Sequence, residues 1–190
     1  SLITAQIPST VTDIGNEAFM NCESMDNIVI PDTTTDIGIN AFYGCSGMKT
    51  VRFGEQLTYI GQKAFYHCSS LERITLPDSF SNLGSSIFEE CTSLKNVVFS
   101  RNQTRIDSKA FYGCTSLASI TLYKKVTSIS PQAFENTALA DIYYEGTNDD
   151  WSALYISTSG NEKLKTEATK HFEFENTSVA AVLTGDTEIN

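Results

Sequence analysis

The five cysteines are the first candidates for chemistry in this sequence, because thiols bind metals, form disulfides and act as nucleophiles. They recur at intervals of 23 residues, as Cys22, Cys45, Cys68, Cys91 and Cys114. Metal and redox motifs place thiols about two to four residues apart, and no such cluster occurs here. Five is an odd number, so the thiols cannot all pair within the chain. We therefore predict buried thiols that serve as small apolar groups.

The adjacent His67 and Cys68 form the one pair that resembles a nucleophile and its base. A nucleophilic cysteine needs an exposed thiol with a lowered pKa, whereas Cys68 is predicted to be buried. The acidic pairs Glu89-Glu90 and Asp149-Asp150 fall in predicted turns and are interpreted as solvated charge. No phosphate-binding loop, serine elbow or calcium-repeat motif is present. The sequence thus predicts a protein that is not an enzyme, with no catalytic residue, metal or cofactor.

The 23-residue interval also organises the apolar residues, which must position any functional side chain. One column contains Phe19, Phe42, Phe65, Phe88, Phe111 and Phe134. Another contains Ile14, Ile37, Ile60, Leu83, Ile106 and Ile129. Several apolar columns in one register indicate stacked repeats, in which each unit buries its apolar face against its neighbours.

A single repeat predicts a strand, a turn, a return segment and a second turn. Leu71, Ile74 and Leu76 alternate with polar residues as in a half-buried strand. Pro77-Asp78 then predicts a turn. The apolar spacing in residues 83–91 predicts a short helix or 3₁₀ turn on the return side.

Stacking of these units predicts a repeat solenoid with a parallel β-sheet on its concave face. Parallel crossover connections are almost always right-handed, so we expect a right-handed superhelix. The six phenylalanines should form one continuous ladder and the main core.

The repeat resembles the BspA-like leucine-rich repeats of bacterial surface proteins. The resemblance rests on the pattern C-x-x-L-x-x-I-x-L-P…I-G-x-x-A-F-x-x-C, which is almost complete at residues 22–45 and 68–91. It implies a leucine-rich-repeat superhelix that is secreted or anchored at the cell surface. It also implies a role in adhesion, with a host or matrix protein or a glycan as the partner. The family's repeats are not catalytic, so the resemblance carries over no catalytic residue.

The pattern predicts a solenoid over residues 1–145 and a C-terminal cap and tail over residues 146–190. Because the chain opens inside a repeat, we expect the natural protein to continue upstream. We expect Asn148 or Asp149 to cap a short helix that carries Trp151, and residues 170–175 to form a final strand. The apolar residues 179–183 are assigned either to the cap or to a following domain.

Composition excludes some partners. The formal net charge is −10, which repels nucleic acid phosphates, so we predict no nucleic acid partner. No stretch approaches the roughly 20 apolar residues of a membrane span. No basic segment followed by an apolar one opens the sequence, so we expect no signal peptide within it.

The outward side chains of the predicted sheet form the candidate binding surface, because they vary between repeats while the inward positions stay apolar. Tyrosine and arginine are favoured in protein interfaces, and tyrosine also stacks on sugars. The alternative is a polar strand face with no ligand, in a structural spacer that displays other domains. The candidate binding residues are Arg52, Arg73, Thr75, Thr121, Tyr123 and Tyr143.

Overall fold

The computed structural model describes residues 4–173, which wind into a parallel-stranded solenoid. Each coil contributes one longer strand, and these strands form the concave face predicted from the sequence. They are β1 (Thr4–Gln6), β3 (Asn27–Val29), β5 (Thr50–Arg52), β7 (Arg73–Thr75), β8 (Asn96–Val98), β10 (Ser119–Leu122), β12 (Asp141–Tyr144) and β14 (Thr169–Phe172). Residues 179–183, which sequence analysis assigned either to the cap or to a following domain, lie outside the described residues.

A second set of strands, which sequence analysis missed, follows the first turn of the coils. They are β2 (Asp13–Ile14), β4 (Asp36–Ile37), β6 (Tyr59–Ile60), β9 (Arg105–Ile106), β11 (Ser128–Ile129) and β13 (Tyr155–Ile156). Each holds one polar or aromatic residue and one buried isoleucine. Two residues are too few for alternation to be recognised in a sequence.

The return segments are successive turns with 3₁₀-type hydrogen bonds. In the third coil, the Ala64 N–H donates to the Gly61 carbonyl at 3.2 Å, and the Cys68 N–H donates to the Phe65 carbonyl at 3.3 Å. Lys63, within the first of these turns, is left-handed, with φ of 56°. Such residues interrupt a continuous helix. Two positions per coil are left-handed: Glu17, Asn40, Lys63, Ser86, Lys109 and Gln132 at the first, and Asn21, Gly44, His67, Glu90, Gly113 and Asn136 at the second.

The six phenylalanines form the predicted ladder. Phe65 stacks on Phe42 with ring centroids 5.0 Å apart and on Phe88 with centroids 5.5 Å apart. Its side chain is fully buried, whereas Phe19, which has a ladder neighbour on one side only, is half-buried. The ladder runs from Phe19 to Phe134 through every coil between them. Stacked aromatic rings therefore connect the coils into one core.

The C-terminal residues extend both sets of strands around two short helices. Helix α1 (Asn148–Ala153) carries Trp151, whose ring contacts Tyr144 edge-on at 5.4 Å. The prediction that Asn148 or Asp149 caps this helix is wrong. Thr147 is the N-cap, because its Oγ1 accepts from the Asp150 N–H at 3.2 Å while Asp150 accepts from the Thr147 N–H at 2.8 Å. Helix α2 (Glu162–Thr166) follows and buries Leu164.

Asn161 closes the stack at its C-terminal end. In the preceding coil, the Phe111 N–H donates to the Ala133 carbonyl of the next coil at 2.9 Å. For Phe134, the side-chain oxygen of Asn161 takes the place of that carbonyl at 3.1 Å. The Asn161 amide nitrogen also donates to the Ser130 carbonyl at 2.8 Å. The Asn161 side chain thus replaces the acceptor that the next coil provides elsewhere, and it also satisfies a carbonyl of the neighbouring coil.

Both sets of strands are interrupted between the third and fourth coils. The longer strands pair in the orders β1-β3-β5 and β14-β12-β10-β8-β7, with no ladder between β5 and β7. The shorter strands pair as β2-β4-β6 and β13-β11-β9. The return turns continue across the junction, because the Phe65 N–H donates to the Ile87 carbonyl at 3.0 Å. The described solenoid is therefore two ladder-paired blocks joined through their return side and through the backbone just before the longer strands.

Candidate interaction surface

The strand register aligns the outward residues in columns, as the repeat predicted. Asn27 pairs with Thr50, and Asn96 pairs with Ser119. Their side chains bond along the column, since Thr50 Oγ1 donates to Asn27 Oδ1 at 2.5 Å and Asn96 Nδ2 donates to Ser119 Oγ at 2.7 Å. The concave face thus carries ordered polar side chains whose hydrogen bonds join neighbouring coils.

Three of the predicted binding residues lie together near the middle of this face. Arg52 on β5 and Arg73 and Thr75 on β7 are exposed. Arg52 and Thr75 occupy equivalent positions in consecutive coils, which places them beside each other across the junction. Their outward direction follows from the alternation with the buried Ile74.

The other three predicted residues lie toward the C-terminal end and offer less surface. Thr121 retains 3% of its accessible surface and Tyr123 retains 5%. Arg101 lies over the Tyr123 ring, 5.7 Å from its centroid. Tyr143 is half-buried. The six residues therefore share one face, but the exposed ones are concentrated around Arg52.

His171 belongs to the same face, and sequence analysis missed it as a surface partner. It pairs with Tyr143 between β12 and β14, and the two rings stack with centroids 4.6 Å apart. His171 Nε2 lies 2.8 Å from Asp141 Oδ1. Its alternation with the apolar Phe172 was the signal in the sequence that it faces outward. These three side chains form an aromatic and acidic patch at the C-terminal end of the sheet.

An opening on the concave face lies at the junction between β5 and β7. It is a groove of 520 Å³, with Arg52, Arg73, Thr50 and Thr75 among its lining residues. Val51 contributes an apolar surface to it and is half-buried. Glu55 is the acidic residue of the lining. The exposed predicted residues thus surround a depression in the sheet.

A second aromatic column lies on the return side. Tyr43 and Tyr66 stack with centroids 4.8 Å apart, and Lys63 lies 5.4 Å from the Tyr66 ring centroid. Lys109 covers Tyr112 in the same way at 5.3 Å. The stacked faces of Tyr43 and Tyr66 cover each other, so this column is explained by contacts between coils.

The cysteine column is buried, as the repeat predicted, except at its first member. Cys22 is half-buried and the other four cysteines are buried, all as free thiols. The Cys91 thiol donates to the Phe65 carbonyl at 3.2 Å, and the Cys68 thiol donates to the Phe42 carbonyl at 3.3 Å. Burial raises the pKa of Cys91 to about 12. A thiol with this pKa is protonated at neutral pH and is a poor nucleophile or metal ligand.

The described residues contain no group of three or more His, Cys, Asp or Glu side chains arranged to hold a metal ion. Within residues 4–173, neither helix is long and apolar enough to cross a membrane.

Comparison with known proteins identifies the repeat. The model of the BspA type leucine-rich repeat region matches residues 1–102 and 37–159, in six copies. The crystal structure of a leucine-rich repeat protein from Bacteroides ovatus aligns with a TM-score of 0.60 and 30% identity, over 78% of this chain and 44% of that protein. The pneumococcal vaccine antigen PcpA aligns with a TM-score of 0.62 and 31% identity, over 70% of this chain and 36% of that protein.

A leucine-rich cell surface protein from Faecalibacterium prausnitzii aligns with a TM-score of 0.55 and 26% identity, over 80% of this chain and 56% of that protein. This chain spans less than half of the Bacteroides ovatus protein. No curated protein matches the chain. The family match covers most of the chain and agrees with the stacked coils, so this chain belongs to the BspA-type leucine-rich repeat family.

Proposed function

We propose that this chain is a non-catalytic binding module of a secreted or cell-surface protein, and that it holds a protein partner on its concave face. The observation that carries the proposal is the exposed group Arg52, Arg73 and Thr75 around a groove in the sheet. Arginine is a favoured anchor of protein interfaces because it combines charge, directed donors and apolar area.

The surface location is supported by relatives rather than by the chain itself. A related protein from Faecalibacterium prausnitzii is described as a cell surface protein, and PcpA is described as a vaccine antigen. An adhesion role with a host or matrix protein is the form of binding that such a location favours. A fold alone does not establish a function, so we infer the chemistry of the partner from the residues of the concave face.

A glycan is the second candidate partner. Tyr143 and His171 present stacked rings beside the Asp141 carboxylate, and aromatic rings with a nearby acceptor suit the apolar faces and hydroxyls of a sugar. A spacer without a ligand is the third candidate, because the chain spans 44% of one relative and 36% of another. In that case the repeats would only hold other domains at a distance.

Binding of the labelled chain to an array of matrix proteins and glycans tests the proposal. The concave variant carries Val29→Glu and Thr75→Glu, at exposed positions on the longer strands. The control variant carries Gln62→Glu at an exposed position on the return side. We expect a protein on the array to bind the native chain and the control variant but not the concave variant. The melting temperature of the concave variant should equal that of the native chain.

Each other outcome supports a different candidate. Glycan binding that Tyr143→Ala abolishes would favour the sugar. Protein binding that the concave variant retains would place the interface elsewhere on the molecule. The spacer would be favoured if no component of the array bound.

A further inference from the structure

The groove at the junction of β5 and β7 exists because one backbone ladder is missing. At equivalent positions in other coils, the Ile30 N–H donates to the Arg52 carbonyl at 2.8 Å, and the Leu76 N–H donates to the Val98 carbonyl at 3.0 Å. Within residues 4–173, the Phe53 N–H makes no such bond to β7. The two coils remain joined just before the strands, where the Glu72 N–H donates to the Lys49 carbonyl at 3.3 Å.

The missing ladder exposes part of the core. Val51 points inward with Ile28 and Ile74, which each retain 2% of their accessible surface. Val51 itself is half-buried and lines the groove. The groove therefore has an apolar floor, and the Phe53 N–H lies at its edge without a bond to β7.

The walls of the groove are positively charged in an acidic protein. The chain has a formal net charge of −10, yet the groove lining contains two arginines, Arg52 and Arg73, and a single acidic residue, Glu55. No carboxylate of residues 4–173 lies within ion-pair distance of Arg52. A guanidinium beside an apolar floor attracts an anion more strongly than one in open water.

We propose that this groove binds an acidic side chain next to an apolar side chain in an extended segment of a protein partner, an inference that rests on the proposed function. The Arg52 guanidinium would hold the carboxylate in a bidentate pair, as planar guanidinium groups do. The apolar neighbour would cover Val51. Thr75 and the Phe53 N–H supply the polar contacts that an extended main chain requires. A peptide therefore satisfies the floor, the walls and the backbone edge together.

The probe is the peptide acetyl-Ser-Val-Glu-Val-Ser-amide, compared with the same peptide carrying glutamine in place of glutamate. Isotope-labelled protein is titrated with each, and amide shifts around the groove report the affinity and the location. We expect the glutamate peptide to shift the amides of residues 50–53 and 73–76 and to bind about tenfold or more tightly than the glutamine peptide. Added salt should weaken the binding.

Arg52→Gln should abolish the preference for glutamate, and Arg52→Lys should retain part of it. The matched control is Lys124→Gln, which removes an exposed positive charge away from the groove. Equal affinity for the two peptides, no shift with either, or an undiminished preference in Arg52→Gln would overturn the inference. Shifts at the groove with sialyllactose alone would overturn it in favour of an acidic glycan.

Failure of this inference is distinguishable from failure of the proposed function. If Arg52→Gln binds the protein partner from the array normally while the Val29→Glu, Thr75→Glu variant does not, the concave face is the interface and Arg52 does not anchor the partner. If neither variant affects array binding, the proposed function fails as well.

Discussion

The thiol of Cys91 donates a hydrogen bond to the carbonyl oxygen of Phe65 at 3.2 Å, and this bond joins two consecutive coils through the core. The same bond links Cys45 to Phe19, Cys68 to Phe42 and Cys114 to Phe88. The column thus does more than fill space. Each of these thiols adds a second hydrogen bond to a carbonyl of the preceding coil that already accepts a backbone N–H, which gives a weak polar group a role at this position.

We predict that the stability of the protein falls steeply between pH 9 and pH 12. Burial raises the pKa of Cys91 from 9.0 to about 12. Between these pH values the thiol is protonated in the folded protein but ionised in the unfolded chain. Its contribution is complete below pH 9 and is lost as pH rises through about 12. Urea unfolding should show a loss of about 1 kcal/mol per pH unit from this thiol. Cys91→Ala should show a shallower slope, and an identical slope would contradict the assignment.

Phe65 should be much more important for stability than Phe19, although both belong to one ladder. Phe65→Ala removes a fully buried ring that stacks on both sides, so we expect a loss of about 3–5 kcal/mol. Phe19→Ala removes a half-buried ring with one stacked neighbour and should cost clearly less. Chemical denaturation measures both. A loss under about 1 kcal/mol for Phe65→Ala would mean that the ladder is not the main core.

Asn161 should be the most sensitive polar residue of the C-terminal end. Asn161→Ala leaves the Phe134 N–H and the Ser130 and Ser157 carbonyls without their partner, at a cost of about 2–3 kcal/mol. Asn148→Ala, at an exposed position in α1, is the control and should change stability little. Hydrogen exchange of the Phe134 amide should accelerate in the first variant alone. Unchanged exchange there would show that another group closes the stack.

The same substitution should have opposite effects at two glutamates of the first coil. Glu17 is left-handed, with φ of 58°, whereas Glu23 is exposed and is not among the left-handed residues. Glycine relieves the strain at Glu17 but only adds unfolded-state entropy at Glu23. Glu17→Gly should therefore be more stable than Glu23→Gly by about 1–2 kcal/mol, measured by thermal unfolding. Equal stability would mean that the turn relaxes without glycine.

Periodicity predicted those features that many coils share. The columns of Phe65 and Cys68 recur in nearly every repeat, so register, ladder and buried thiols followed from spacing alone. Features that depend on one residue were not predictable in this way. Asn161 has no counterpart in the repeats, and its role depends on the backbone groups that surround it after folding. The burial of Thr121 and Tyr123 likewise depends on neighbouring side chains, such as Arg101 over the Tyr123 ring, which strand alternation does not describe.

The candidate site was predictable in part for the same reason. Alternation placed Arg52 and Thr75 on the outward side of neighbouring strands, and the structure has them there. The groove between them was not predictable, because the apolar columns continue through residues 50–76 without a change of pattern. Loss of the Phe53 hydrogen bond is a small displacement between coils, and it leaves no mark on composition or spacing.

The interrupted junction also bears on how the molecule unfolds. In a repeat protein, stability is distributed over contacts between nearest neighbours, and the weakest contact limits cooperativity. The third and fourth coils lack both strand ladders, so they share fewer backbone bonds than other neighbours. Under mild denaturant we expect the block that ends with β6 to lose amide protection before the block that begins with β7, as pulsed hydrogen exchange would show. The gap between β5 and β7 would then serve as a binding groove and also separate two folding units. A partner bound in the groove would make the two units unfold together.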